Sequence, residues 1–169
     1  GVVANSGSIS IDSDYLFVQC AGQSGDAMWE HGIGAAKDVT IISDDATIAG
    51  SVGIESAEGN ITLNGNIAVG GTGTAVYAVQ GTITMTGAVT AQGGDDYFAI
   101  AAKGDISFDG TKLDVNGSAG IRSEEGNVTI NGTNVSVVGS DGIGVVANSG
   151  SISIDSDYLF VQCAGQSGD

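Results

Sequence analysis

Proline is absent from this 169-residue chain, and cysteine, tryptophan, histidine and basic residues are scarce. Without proline, every backbone N–H can donate to a β-ladder. Only Lys37, Lys103, Lys112 and Arg122 are basic, whereas 20 residues are acidic, and the formal net charge is −16. So few cations could not neutralise phosphates, which argues against nucleic acid as a partner. No apolar run is long enough to predict membrane insertion in this segment.

Glycine and aliphatic residues are abundant instead. The chain has 29 glycines and a hydrophobic fraction of 41%, in which isoleucine and valine are prominent. Glycine supplies tight turns and backbone conformations with positive φ, and the aliphatic content argues against disorder. The composition therefore predicts many short strands joined by many turns.

Residues 1–26 return letter for letter as residues 144–169, so the sequence closes on itself at position 144. We predict one repeat unit over residues 1–143 and the start of an identical unit over residues 144–169. Cys163 is the repeat of Cys20, which leaves one thiol per unit. In a unit about 29 Å long the two are too far apart for a disulfide within one chain. A buried thiol and a bridge between chains both stay open as interpretations.

A shorter repeat fills each unit. A pattern of aliphatic, hydroxyl and aliphatic residues recurs in segments that begin at Gly7, Lys37, Gly59, Gly81, Gly104, Gly126 and Gly150. Strand-like alternation at such a nearly constant spacing, with turn residues between, is typical of a parallel β-helix. The sequence therefore predicts an all-β, right-handed parallel β-helix (β-solenoid) with about 22–24 residues per coil, about seven coils and uncapped ends. Each coil is expected to hold three short strands, with turns at pairs such as Asn64-Gly65.

Equivalent residues of successive coils lie about 4.8 Å apart in such a fold, so they form columns along its axis. Two neighbouring columns are predicted to face the core: Ile9, Val39, Ile61, Ile83, Ile106, Val128 and Ile152, and beside them Ile11, Ile41, Leu63, Met85, Phe108, Ile130 and Ile154. Another strand is predicted to add Leu16, Ile67, Val89, Leu113, Val135 and Leu159. A narrow corner is predicted from the small residues Ala4, Ser56, Ala78, Ala101, Ser123 and Ala147.

The alternation places a row of hydroxyl residues outside, between the first two core columns. This hydroxyl row consists of Ser10, Thr40, Thr62, Thr84, Ser107, Thr129 and Ser153. Small and β-branched polar residues suit an exposed strand and can hydrogen-bond along a stack. The alternative interpretation is a flat face that binds glycan or ice.

One coil departs from the period. An insertion follows Cys20 and brings Met28, Trp29 and His31. Tyr15 and Phe17 alternate with aliphatic residues in the same coil and are predicted to lie outside. Three interpretations stay open: the loop covers its own aromatic residues, rods pack laterally through them, or they stack on sugars. A lone His31 gives no reason to pair it with Cys20 as a nucleophile, so no catalytic residue is predicted.

Carboxylates occur in pairs at predicted turns: Asp12 with Asp14, Asp44 with Asp45, Asp95 with Asp96, and Glu124 with Glu125. Oxygen ligands on flexible turns suit Ca²⁺ better than zinc, although no pair has the spacing of an EF-hand loop. Solvated surface charge and bound Ca²⁺ are the two interpretations. No cofactor is expected to be required.

The coil sequences GIRSEEGNVTINGTNVSVVGSDGI and GIESAEGNITLNGNIAVGG resemble the repeats of bacterial cell-surface and secreted right-handed parallel β-helix proteins. These are the pectate-lyase-like and adhesin-like group, including clostridial-type carbohydrate-binding members. The resemblance implies the same fold and an extracellular or cell-surface location. It also implies, for some members, binding of acidic polysaccharide through calcium. No catalytic motif of that group matches any residue here.

The function predicted from these patterns is structural rather than enzymatic. Identical units, each equivalent to residues 1–143, would continue one hydrophobic rod in an extracellular fibre or stalk, with the chain itself as partner, end to end and in lateral bundles. The alternative is a calcium-dependent polysaccharide-binding surface adhesin. A polysaccharide would then be the partner. It would be held by the hydroxyl row or by the coil that contains Tyr15 and Phe17, which we call the aromatic coil.

Overall fold

The computed structural model describes residues 1–20 and 31–164, and within those residues every regular element is a β-strand. In chain order the strands are β1 (Val2–Ala4), β2 (Ile9–Gln19), β3 (His31–Ala35), β4 (Val39–Gly50), β5 (Val52–Ser56), β6 (Ile61–Gly71), β7 (Val76–Ala78), β8 (Ile83–Gln92), β9 (Phe98–Ala102), β10 (Ile106–Ser123), β11 (Val128–Ala147) and β12 (Ile152–Cys163).

The strands form two rows, and every pairing within them is parallel. The short row contains β1, β3, β5, β7 and β9, followed by the C-terminal parts of β10 and β11. The long row contains β2, β4, β6, β8, β10, β11 and β12. The described residues thus make seven stacked layers, which amount to about six turns of the solenoid, slightly fewer than the predicted seven coils. This arrangement confirms the predicted all-β parallel β-solenoid.

Each long strand continues through its bend, with a bulge at that point in β4 and in β10, which corrects the prediction of three separate strands per coil. The pairing of β6 with β8 runs without interruption from Ile61 through Gly65 to Gly70. Gly65 and Gly87 occupy the bend with φ of 122° and 95°, in the region that favours glycine. A Cβ atom on Gly65 would overlap the carbonyl oxygen of Ser43 in the preceding layer. Glycine is therefore required here both by conformation and by the close stacking of backbones.

The predicted core columns are confirmed by register and burial. Ile61 pairs with Ile83 and Leu63 with Met85, and all four side chains are buried. The column that contains Leu16 and Ile67 was predicted without a member from the layer between them. Ala46 occupies that position and is buried. The second half of the long strands adds a column that was not predicted: Val18, Ile48, Val69, Ala91, Val115, Val137 and Val161. The core is a continuous apolar rod along the stack.

The narrow corner lies in the short row, and its predicted alignment contains one error. Ser56 pairs with Ala78, which pairs with Ala102, and Ala102 is buried. Ala101 was predicted for this column, but it pairs with Tyr77 and is half-buried on the outward side. Ala101 and Ala102 are adjacent and of the same residue type, so the sequence does not indicate which of them faces the core. A slip of one residue exchanges the inner and outer faces of a strand.

Buried serines in this corner hydrogen-bond the turn that follows. Ser123 Oγ donates to the Gly104 carbonyl at 2.9 Å and accepts from the Gly126 N–H at 3.0 Å. Ser56 Oγ makes the equivalent pair of bonds at 2.7 and 3.0 Å. Both hydroxyls are therefore satisfied inside an apolar stack, where an unpaired polar group would be costly.

Side chains after the turn form a second ladder along the axis. Asn60 N–H donates to Asp38 Oδ1 at 2.8 Å, and Thr82 N–H donates to Asn60 Oδ1 at 2.9 Å. Asn127 N–H donates in the same way to Asp105 Oδ1 at 2.7 Å. Each layer thus holds the first strand residues of the next, which explains the recurring Asp, Asn and Thr at this position.

Both copies of the repeated stretch adopt the same strands. In the first copy a short strand ends at Ala4 and a long strand begins at Ile9. The equivalent positions of the second copy are Ala147 and Ile152, where β11 ends and β12 begins. The identical sequence therefore gives the same local structure at both ends of the described stack.

We expect Ile83→Asp to unfold the stack, because a carboxylate would replace a side chain that has no exposed area. Thr84→Asp is the matched control, since Thr84 is the adjacent residue and points outward. Thermal unfolding followed by circular dichroism should show a large loss of stability for Ile83→Asp alone. Equal melting temperatures for the two variants would contradict the inward assignment.

Gly65→Ala is expected to destabilise the fold by about 2 kcal/mol or more, because it combines an unfavourable φ with overlap on the Ser43 carbonyl. Gly70→Ala provides the control, since a Cβ atom there has no neighbour within 4 Å. Urea denaturation of both variants measures the difference. A Gly65→Ala midpoint equal to that of Gly70→Ala would show that the bend tolerates a side chain.

Candidate functional site

The hydroxyl row forms an aligned outward column on the first half of the long strands. Thr62 pairs with Thr40 on one side and with Thr84 on the other, and these side chains are exposed or half-buried. Ser107 Oγ donates to Thr84 Oγ1 at 3.4 Å. This contact matches the interpretation of hydroxyl groups bonded along the stack, while glycan or ice binding by the row stays a prediction.

The aromatic coil presents its side chains on a different face, along the second half of the long strands. Tyr15 is 65% exposed and Phe17 is 56% exposed. His31 begins β3 in the short row, where its Nδ1 lies 3.7 Å from Glu55 Oε2. Met28 and Trp29 lie outside the described residues. The structure therefore shows two exposed aromatic residues, whereas the predicted partner residues from the loop stay a prediction.

Cys20 stands at an inward position where other layers have glycine. Its N–H donates to the Ala49 carbonyl at 2.9 Å, which places it beside Gly50. At the other copy, Cys163 pairs with Gly139. Both thiols are free; Cys20 is half-buried and Cys163 is exposed. A bridge between chains stays a prediction.

Two of the predicted acidic pairs, Asp12 with Asp14 and Asp44 with Asp45, lie next to each other in the paired strands β2 and β4; the other two pairs lie elsewhere, beside β9 and β10. Asp12 with Asp14 lies in β2, Asp44 with Asp45 in β4, Asp95 with Asp96 before β9, and Glu124 with Glu125 after β10; all of these residues are exposed. Glu124 pairs with Arg122 at 3.2 Å, and Glu125 with Lys103 at 3.8 Å. Residues 1–20 and 31–164 contain no group of three or more His, Cys, Asp or Glu that could hold a metal ion.

A groove on the short row is the feature that the sequence prediction missed. It has a volume of about 570 Å³ and lies over β5, β7, β9 and the C-terminal part of β10. We call it the tyrosine groove because Tyr77 and Tyr97 line it, together with Phe98. Its other lining residues include Glu55, Asp96, Ala101, Arg122 and Glu124.

The outward column of the short row explains why the groove forms. Along the axis this column reads Glu55, Tyr77, Ala101 and Arg122. Ala101 is the small member, so it leaves space between the side chains of Tyr77 and Arg122, which are two layers or about 9.6 Å apart. The register error at Ala101 therefore concealed the groove, because it placed the small residue inside.

The residues just before β9 supply one edge of the tyrosine groove. Tyr97 is 53% exposed, and the guanidinium of Arg122 lies 5.5 Å from the centre of the Phe98 ring. Asp96 has a φ of 67°, in the left-handed region that non-glycine residues seldom occupy. Such conformations concentrate at ligand sites. The signal in the sequence was the cluster Asp95 to Phe98, which follows a pair of glycines. Other coils have small residues at the position of this cluster.

The described residues include no helix with the length and apolar character to cross a membrane. Comparison of the chain with protein-family models, with curated proteins and with solved structures found no match.

Monovalent salt is expected to raise the melting temperature, because acidic residues far outnumber the four basic ones and their mutual repulsion is screened by ions. The described residues contain no group of three or more candidate ligands for a metal ion, so we expect CaCl₂ to match NaCl at equal ionic strength. Circular dichroism melts measure both. A further rise with calcium, lost in the Asp95→Asn and Asp96→Asn double variant, would instead support bound Ca²⁺.

Proposed function

We propose that the chain is a segment of an extracellular fibre or stalk built from identical β-solenoid units, each equivalent to residues 1–143. The observation that carries the proposal is that the two copies of the repeated coil, taken together, show its pairing with a following layer and with a preceding layer. In its first copy, β2 pairs with β4 in the following layer. In its second copy, β12 pairs with β11 in the preceding layer.

In this proposal one unit joins the next through these same two kinds of pairing. The second copy has the same sequence as the first, so a following unit can pair with β12 in the register that β4 adopts on β2. The core columns of β11 and β12 then lead directly into those of the next unit. No new contact type is required, because the junction repeats pairings present elsewhere in the stack.

Apolar burial favours this continuation. In the second copy Ile152, Leu159 and Val161 are 46, 48 and 43% exposed. In the first copy the corresponding Ile9 is only 8% exposed, since β4 covers it. Covering the second copy in the same way would remove apolar surface from water, at about 25 cal/mol per Å². It would also pair an open strand edge, which otherwise favours association with other chains.

The extracellular location belongs to this proposal and is supported by the resemblance of the coil sequences. The calcium-dependent polysaccharide-binding adhesin stays the alternative. The comparison of calcium with sodium at equal ionic strength tests its metal requirement.

A chain in which residues 1–143 precede the whole 169-residue sequence tests the fibre proposal. Six additional layers at about 4.8 Å should lengthen the particle by about 29 Å without changing its cross-section. Small-angle X-ray scattering and negative-stain electron microscopy measure both dimensions. An unchanged length, or two separate particles joined by a flexible connection, would overturn the proposal.

The same experiment has an internal control. Gly65→Ala in one unit should weaken the stack without altering the junction, because Gly65 lies far in sequence from the repeated coil. A length increase that survives in this variant would show that the junction forms independently of that bend.

A further inference from the structure

We propose that the tyrosine groove binds a neutral pyranose oligosaccharide. This site is distinct from the hydroxyl row and from the aromatic coil, which lie on the long strands. The inference concerns a ligand for the side of the rod and does not depend on whether units continue end to end.

The size and lining of the groove fit a small carbohydrate. Its volume of about 570 Å³ lies within the range of pockets for small organic ligands, about 300–1,000 Å³. The groove opens to the surface, so a ligand can enter it from solvent. Tyr77 lies in the groove and Tyr97 at its edge, and both bring a ring with a polar tip. Such rings offer an apolar surface for the C–H face of a sugar and a hydroxyl for hydrogen bonding.

Polar side chains surround these rings at several points. Glu55 and Glu124 supply carboxylate acceptors, Arg122 supplies N–H donors, and Thr72 supplies a hydroxyl. A purely apolar ligand would remove water from these groups without offering them hydrogen bonds, which is costly. A pyranose has both an apolar face and a rim of hydroxyl groups that donate and accept. The mixture of aromatic and charged residues therefore favours sugar over lipid.

The charge of the groove selects among sugars. Glu55, Asp96 and Glu124 are acidic, Arg122 is the basic residue in the lining, and Arg122 is already paired with Glu124 at 3.2 Å. The whole chain has a formal charge of −16. An acidic polysaccharide would be repelled by this surface. The groove thus favours a neutral chain, in contrast to the acidic polysaccharides implied by the resemblance.

Local rigidity also favours binding. Tyr77 and Ala101 lie within paired parallel strands, and Arg122 is held by its contacts with Phe98 and Glu124. A backbone fixed by a ladder, and a side chain held by neighbouring groups as Arg122 is, lose little conformational entropy when a ligand arrives. The groove is therefore preorganised on the rigid part of the fold.

If the fibre proposal holds, each unit brings one such groove, and the grooves recur about 29 Å apart along the rod. Weak single sites would then combine into tight attachment through multivalency. This consequence alone rests on the proposed function. Binding by one groove is measured on the 169-residue chain and stands or falls separately.

Isothermal titration calorimetry of the 169-residue protein tests the inference with four tetrasaccharide probes. Three are neutral, built from β-1,4-linked glucose, galactose or N-acetylglucosamine, and one is α-1,4-linked galacturonate. We expect at least one neutral probe to bind with a Kd of about 1 mM or tighter, and galacturonate to bind more weakly. Absence of binding by all three neutral probes, or stronger binding of galacturonate, would overturn the proposal.

Variants connect any binding to the groove. Tyr97→Ala should weaken binding about tenfold by removing an exposed ring, whereas Tyr97→Phe should retain most of the affinity. The Tyr15→Ala and Tyr158→Ala double variant is the matched control, because these two exposed tyrosines are the two copies of one position on another face. Neutral-sugar binding that is unchanged by Tyr97→Ala but lost in this double variant would overturn the assignment to this groove.

Ala101→Leu provides an independent variant that fills the groove instead of removing a wall. Ala101 is half-buried on the outward side, so a larger side chain there occupies ligand space without entering the core. Binding should be lost while the melting temperature changes little. Full binding by a folded Ala101→Leu protein would count against the groove as the site.

Discussion

Parallel pairing between successive layers is the constraint on which the rest of this structure depends. Each layer contributes only a few inward side chains, so a single layer has too little core to fold alone. Stacking gives each of these side chains an apolar neighbour at about 4.8 Å above and below. The column from Ile61 to Ile83 and Ile106 shows the result, with all three side chains buried. Stability therefore resides in the repetition.

Close stacking also determines which irregularities the chain tolerates. Where backbones approach most closely, as at Gly65, any side chain would overlap the layer before it. Where a polar group enters the core, as at Ser123, it is bonded to both the preceding layer and its own turn. At the end of the long strands, Cys20 stands where other layers have glycine, and it is only half-buried. Packing thus restricts the inward side chains, whereas an outward column such as that of Glu55 and Tyr77 can vary from layer to layer.

That freedom would let a rod of this kind carry the binding site proposed above. In the outward column of the short row, Glu55, Tyr77, Ala101 and Arg122 differ in size and charge although their backbones are equivalent. A small residue between two large ones produces a groove without disturbing the ladder. A fibre built from such units could therefore display the same ligand site at a regular interval.

The sequence by itself determined the solenoid, its period and most of the core, because alternation and repetition are local properties of the chain. Tertiary structure alone decided two features: the long strand bends at Gly65 without breaking, and Ala101 faces outward while Ala102 faces the core. Adjacent alanines contain no pattern that fixes their direction, so only pairing with Tyr77 and Ala78 settles it. The tyrosine groove depends on that choice and on residues from several layers, which is why the sequence did not predict it.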